Sequence, residues 1–167
     1  MAPAVVLIGA PGAGKSTVGA LIAQSLGVAH VDTDSMVEQR LGSTVADIFI
    51  ELGEPAFRAA ERDAVAEALT MDDIVVSLGG GAVMDPATQA ALGGHAVVWL
   101  QVGLPSAATR VGMNQSRPLL LQNPRATLAK LLDERTAIYQ SLAGLTVSTD
   151  DIDAGEVARQ VLAWLQA

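Results

Sequence analysis

Lys15 and Ser16 close the run Gly9-Ala10-Pro11-Gly12-Ala13-Gly14-Lys15-Ser16-Thr17, which meets the pattern G-x-x-x-x-G-K-[ST] at every fixed position. Glycines so placed let the backbone curl until its N–H groups point inward at phosphate oxygens, with a helix dipole behind them. In such a loop the lysine reaches the β- and γ-phosphates and the following hydroxyl holds Mg²⁺. Gly12, Ala13, Gly14, Lys15, Ser16 and Thr17 are therefore the expected phosphate ligands, and Ser16 an expected metal ligand. The plain alternative is a glycine turn that binds nothing. The flanks argue against it. Ala4-Val5-Val6-Leu7-Ile8 reads as a buried strand, while Val18, Leu21, Ile22 and Leu26 recur at helical spacing before a Gly27 cap.

Further candidates follow later strands. Asp32 and Asp34 stand two residues apart after a short apolar stretch, so both could face a nucleotide. One of the two carboxylates suits Mg²⁺ positioning through water, and the other suits the orientation or deprotonation of an attacking hydroxyl. A cap for the next helix is the other use of Asp34, but Ser35 with Glu38 already makes a capping box. Gly79-Gly80-Gly81 after another strand is either a flexible turn or a place where backbone approaches a ligand closely.

Arg58, one turn before Glu61 and next to Phe57, is open to two readings. It forms a surface i,i+3 pair, or it converges with Arg135 into a bidentate site for a carboxylate. Arg135, between Glu134 and Thr136, is open to the same two. Arg110 and Arg117 bracket a polar segment ending in Arg117-Pro118, which is either an ordinary loop or a lid that brings an arginine over phosphates.

The elements that must position these groups alternate strand and helix. Strands are expected at 4–8, 28–31, 74–78, 96–100 and 145–148. Between them fall helices ending near Gly42, over 44–52, from Glu54-Pro55 to Leu69, from Asp85-Pro86 to Gly93, over about 105–111, and onward from Asn123-Pro124. Asp153 with Glu156 caps a last helix. Continuous apolar strands separated by helices imply a mostly parallel sheet covered on both faces. The expectation is one three-layer α/β domain spanning 1–167, its ligands at the carboxyl ends of the strands.

Composition narrows the partners. The net charge of −8 disfavours nucleic acid and anionic membrane surfaces. Of 10 basic residues only Lys15 and Lys130 are lysines, so the placement of the arginines is informative. Cysteine is absent and the histidines are two, His30 and His95, so a bound metal should have oxygen ligands. With no apolar stretch long enough to span a bilayer and no leader pattern, a cytoplasmic monomer acting on small molecules is expected.

Taken together these motifs resemble the shikimate kinase family, small P-loop kinases of the nucleoside monophosphate kinase type. The similarity covers nearly the whole chain. It rests on the P-loop, Asp32-x-Asp34, Val37 through Phe49, Gly53-Glu54-x-x-Phe57-Arg58-x-x-Glu61, Gly79-Gly80-Gly81, Arg117-Pro118-Leu119-Leu120, and Arg135 followed by Tyr139. The resemblance implies strand order 2-3-1-4-5 and ATP-dependent phosphorylation of the shikimate 3-hydroxyl, in aromatic amino-acid biosynthesis. It implies a shikimate-binding region at about 33–61 and a lid at about 112–123. Lys15, Asp34 and Arg117 would carry the transfer, with Asp34 as base. Arg58 and Arg135 would hold the carboxylate, Gly79, Gly80 and Gly81 would line the pocket, and Arg110 and Arg117 would face the nucleotide. Two departures stand out. Ala20 replaces an arginine common after the P-loop serine, and Thr149-Asp150-Asp151-Ile152-Asp153-Ala154 lacks the usual arginine and proline of the adenine loop. Two other readings compete: a kinase for gluconate or a nucleoside monophosphate, and a non-catalytic nucleotide switch. Neither calls for an acceptor aspartate, a glycine triad and two carboxylate-facing arginines together.

Overall fold

The computed structural model describes residues 2–103 and 124–167. Its strands are β1 (Val5–Ile8), β2 (Ala29–Asp32), β3 (Ile74–Ser77), β4 (Val97–Gln101) and β5 (Leu145–Ser148), all parallel, in the order β2-β3-β1-β4-β5. This is the expected sheet. Register places Val6 of β1 beside Val76 and Val97, and Asp32 of β2 beside Ser77. The helices are α1 (Lys15–Leu26), α2 (Thr33–Leu41), α3 (Val45–Glu51), α4 (Glu54–Ala68), α5 (Pro86–Ala91), α6 (Pro124–Leu142) and α7 (Ala154–Leu165). A 3₁₀ turn at Ala82–Met84, not foreseen from the sequence, follows the triple glycine.

Successive strand side chains point to opposite faces, and both faces are apolar. Val5, Leu7, Val98 and Leu100 pack against Val18 and Ile22 of α1 and Val157 and Val161 of α7. Val6, Ile8, Val76 and Trp99 pack on the other face, against Val65 and Ala68 of α4 and Tyr139 of α6. A third, smaller core joins Val37 of α2, Ile48 of α3, and Phe57 and Ala64 of α4. That cluster holds residues 33–61 together beside the sheet. It is what keeps Asp34 and Arg58 in one place.

The predicted punctuation holds at most ends. Gly27 and Gly42 close α1 and α2 in the left-handed conformation, Thr44 caps α3, Pro55 lies in the first turn of α4, and Asp153 caps α7. One cap differs. The start of α2 is capped by Asp32, whose Oδ1 accepts from the Asp34 and Ser35 amides at 2.9 and 3.3 Å, in place of the expected Ser35–Glu38 box. Because β2 runs on to Asp32, the helix begins two residues before Ser35 and the earlier carboxylate meets its free N–H groups. Glu38 instead accepts from the Val45 amide at 2.9 Å, tying the end of α2 to α3.

Candidate active site

The carboxyl ends of β1, β2 and β3 bring three polar turns together. Gly9 leaves β1 so close to β4 that a Cβ there would lie 2.7 Å from the Leu100 carbonyl oxygen. Gly12 and Gly14, at φ of 83° and 93°, then reverse the chain into α1, in a region that other residues rarely occupy. Lys15 is only 8% exposed. Its ammonium donates to the Gly9 and Ala10 carbonyls at 2.7 and 3.0 Å, so the charge is held at the loop. Beside it the Ser16 hydroxyl donates to Asp32 Oδ2 at 2.6 Å. Asp32 thus uses one oxygen to cap α2 and the other to meet Ser16.

The glycine triad is a point of close approach on every residue. The Gly79 amide donates to Oγ1 of the fully buried Thr33 at 3.1 Å. A Cβ on Gly79 would lie 2.5 Å from Asp34 Oδ1, and one on Gly80 would lie 2.8 Å from Cδ of Pro11 in the phosphate loop. One on Gly81 would lie 2.7 Å from both terminal nitrogens of Arg58 and 3.0 Å from Nη2 of Arg135. Each position of the triad thus has protein atoms where a side chain would go. Its three residues seat the aspartate, the P-loop and the two arginines in turn.

Arg58 does form an i,i+3 pair, with Nη1 2.9 Å from Glu61 Oε1, but the pair is not a surface one. Glu61 is 3% exposed. Burial pushes its carboxyl above the ordinary value, Arg58 opposes the shift, Asp34 adds to it and Arg135 opposes it. The Arg58 guanidinium also lies 5.3 Å from the Phe57 ring centre. Arg135 is 4% exposed, and among the described residues its buried Nε has no hydrogen-bond partner. Burying a guanidinium with an unmet donor is costly unless an anion completes it. Tyr139, one turn further along α6, donates from its phenol to the Gly80 carbonyl at 2.8 Å and stacks on Trp99 with ring centres 5.6 Å apart.

Several contributors are silent in the sequence. Thr33 and Ser77 carry no motif that marks them, Pro11 fills a variable position of the phosphate loop, and only the folded contacts reveal their parts. Arg110, Arg117, the 105–111 helix and the 112–123 lid lie outside the described residues. In the loop after β5, the Asp150 carboxylate accepts from the Gly103 amide at 2.9 Å and the Thr149 amide donates to Gln101 at 2.8 Å, tying the expected adenine loop to the end of β4.

A phosphate-binding loop and a hydroxyl–carboxylate pair face a second carboxylate and two guanidiniums across a glycine turn. Fold and site together define a P-loop phosphotransferase. The family model described as Shikimate kinase matches residues 11–166. A shikimate kinase of Thermobifida fusca is 56% identical over 165 residues, covering 99% of this chain and 96% of that one. One of Salinispora arenicola is 51% identical over 167 residues, covering 100% of both. Among solved structures, the shikimate kinase of Acinetobacter baumannii in complex with shikimate superposes with a TM-score of 0.95 at 31% identity, covering 99% of this chain and 93% of that one. The chain belongs to the shikimate kinase family.

Proposed function

We infer that this chain transfers the γ-phosphoryl group of ATP to the 3-hydroxyl of shikimate, giving shikimate 3-phosphate and ADP, a step of aromatic amino-acid biosynthesis. The observation that carries the residue assignments is the convergence of Asp34, Arg58 and Arg135 on the single turn Gly79–Gly81. Two guanidiniums beside one carboxylate suit an acceptor that presents a carboxylate at one end and a hydroxyl at the other. Residues 33–61 form the acceptor-binding region.

In this reading the backbone N–H groups from Gly12 to Thr17 and the Lys15 ammonium hold the phosphates. Arg110 and Arg117 face the nucleotide, the latter from the lid. Arg58 and Arg135 grip the shikimate carboxylate and so fix the ring, which leaves the 3-hydroxyl toward Asp34. The hydroxyl oxygen bonds to the γ-phosphorus as the bond to the ADP oxygen breaks, and its proton passes to the Asp34 carboxylate. Transfer of this kind needs positioning and charge stabilisation more than covalent chemistry from the protein.

Ser16 and Asp32 fit Mg²⁺. Their oxygens lie 2.6 Å apart, Ser16 in the first turn of α1 and Asp32 at the end of β2, and among the described residues no cluster of three or more His, Cys, Asp or Glu competes as a metal site. A hydroxyl and one carboxylate, completed by phosphate and water, is a usual Mg²⁺ environment. The ion would supply charge neutralisation on the phosphates. The reading keeps a cytoplasmic monomer without nucleic-acid or membrane partners. The charge of −8 disfavours nucleic acid and anionic membrane surfaces, and among the described residues no helix is long and apolar enough to cross a membrane.

Comparing wild type with Asp34→Asn tests the assignment. ATP affinity is expected to stay within about twofold while turnover falls about 10²- to 10⁴-fold, the range of a lost general base. Near-normal turnover in the variant would remove Asp34 from proton transfer.

A further inference from the structure

Behind the phosphate loop, α1 is tied to the sheet by a relay that the reaction scheme above does not use. The Ser77 hydroxyl, at the end of β3, donates to the Lys15 carbonyl at 3.0 Å. Nε2 of His30, on β2, lies 2.9 Å from the same Ser77 oxygen. A hydroxyl has one proton to give. With that proton on the Lys15 carbonyl, Ser77 can only accept from His30, so Nε2 is the nitrogen that carries hydrogen. The chain runs from the His30 N–H through the Ser77 O–H to the Lys15 carbonyl. Gly19 on α1 makes room for it, since a Cβ there would lie 2.6 Å from His30 Nε2 and 2.8 Å from Ser77 Oγ.

The relay sits where both halves of the site are anchored. Lys15 and Ser16 lead from its α1 end. Two residues after Ser77 comes Gly79, against which Asp34 is seated, and two residues after His30 comes Asp32, which meets Ser16. In a helix the Lys15 carbonyl is already the acceptor for position 19. The bond from Ser77 is therefore not needed to form α1, and what it adds is a fixed height of α1 over β3.

We propose that His30 is a positioning residue for phosphoryl transfer: by orienting the Ser77 hydroxyl it sets the phosphate-binding turn of α1 relative to the Gly79–Gly81 turn. It thereby sets how near the donor phosphate comes to the acceptor hydroxyl, a distance to which rates are steeply sensitive. This rests on the functional reading above. His30 also borders an open groove of about 460 Å³ lined with Val31, Met36, Arg40, Glu67 and Met71, so replacements there have room.

The test compares His30→Leu, which keeps bulk without the N–H, His30→Gln, which restores an amide N–H at similar reach, and Ser77→Ala. Each is assayed as the full chain below its melting temperature. His30→Leu and Ser77→Ala are expected to lower kcat about tenfold with the shikimate KM within about twofold of wild type. His30→Gln should recover most of the loss, and His30→Leu should add little on a Ser77→Ala background. A purely structural role would lower Tm and leave kcat unchanged. A kcat for His30→Leu within about twofold of wild type, or equal losses in the leucine and glutamine variants, would overturn the proposal. If His30→Leu fails to fold, Ser77→Ala alone decides by the same criterion. Imidazole nitrogen NMR on the wild type reads the relay without turnover: Nε2–H is expected, and an Nδ1–H tautomer would overturn it. A wild type that releases no ADP with shikimate would count against the functional reading alone.

Discussion

The Tyr139 phenol donates to the Gly80 carbonyl across 2.8 Å, so α6 holds the glycine triad by its backbone as well as by the Arg135 guanidinium against Gly81. One helix thus holds both the glycine turn and one of the guanidiniums beside it. Tyr139→Phe keeps the ring on Trp99 and removes that bond together with the phenol's hydrogen bond to Arg135. The expected cost is about 1 kcal/mol, or roughly 2–4 °C in Tm for a chain of this size. A severalfold rise in the shikimate KM should accompany it, with the ATP KM unchanged. Thermal melts and steady-state kinetics check both parts.

Gly81→Ala would drive a methyl toward both guanidiniums. It would meet Arg58 nitrogens at 2.7 Å and an Arg135 nitrogen at 3.0 Å, so one or both must move. The expected outcome is a rise in the shikimate KM of at least about tenfold, the scale on which a displaced bidentate contact is felt. ATP affinity, measured by titration calorimetry, should stay near wild type. A change confined to ATP would contradict the placement of the carboxylate site.

Asp32 caps α2 with one oxygen and meets Ser16 with the other. Asn is as good an N-cap as Asp. Asp32→Asn should therefore leave Tm nearly unchanged while raising the Mg²⁺ concentration needed for half-maximal rate by about tenfold, as a ligand charge is lost. An unchanged Mg²⁺ requirement would take Asp32 out of the metal site.

Burial holds the Glu61 carboxyl above its ordinary value of 4.5. The folded protein thus binds this proton more readily than the unfolded chain. The group's contribution to stability is complete below the unfolded value and is lost as pH rises through the folded one. Urea unfolding of wild type and Glu61→Gln from about pH 4 to about pH 8 isolates the effect. The stability of wild type relative to the variant should decline with rising pH. A constant difference would contradict the raised value.

The phosphate loop is legible because its whole chemistry lies in one short stretch whose glycines answer to backbone geometry. The sheet is legible for a similar reason: Val5-Val6-Leu7-Ile8 can be apolar at every position only if both faces are covered. Arg58 and Glu61 show the limit. An arginine and a glutamate three apart on a helix look alike whether exposed or buried, and the burial comes from the small core around Phe57, Ile48 and Val37. The cap on α2 falls on Asp32 and not on the expected Ser35. Pairing of Asp32 with Ser77 carries β2 on to that residue and starts the helix earlier, and such pairing is a tertiary event. The His30–Ser77–Lys15 relay joins three elements and leaves no local trace at all.

The most direct measurement is ADP release with ATP and Mg²⁺ in the presence of shikimate, beside gluconate, AMP and no acceptor. The account predicts release that depends on shikimate and stays near the acceptor-free level with the others. Release driven by gluconate or AMP would keep the fold and contradict the acceptor. Release independent of any acceptor would return Arg58 and Arg135 to a structural part.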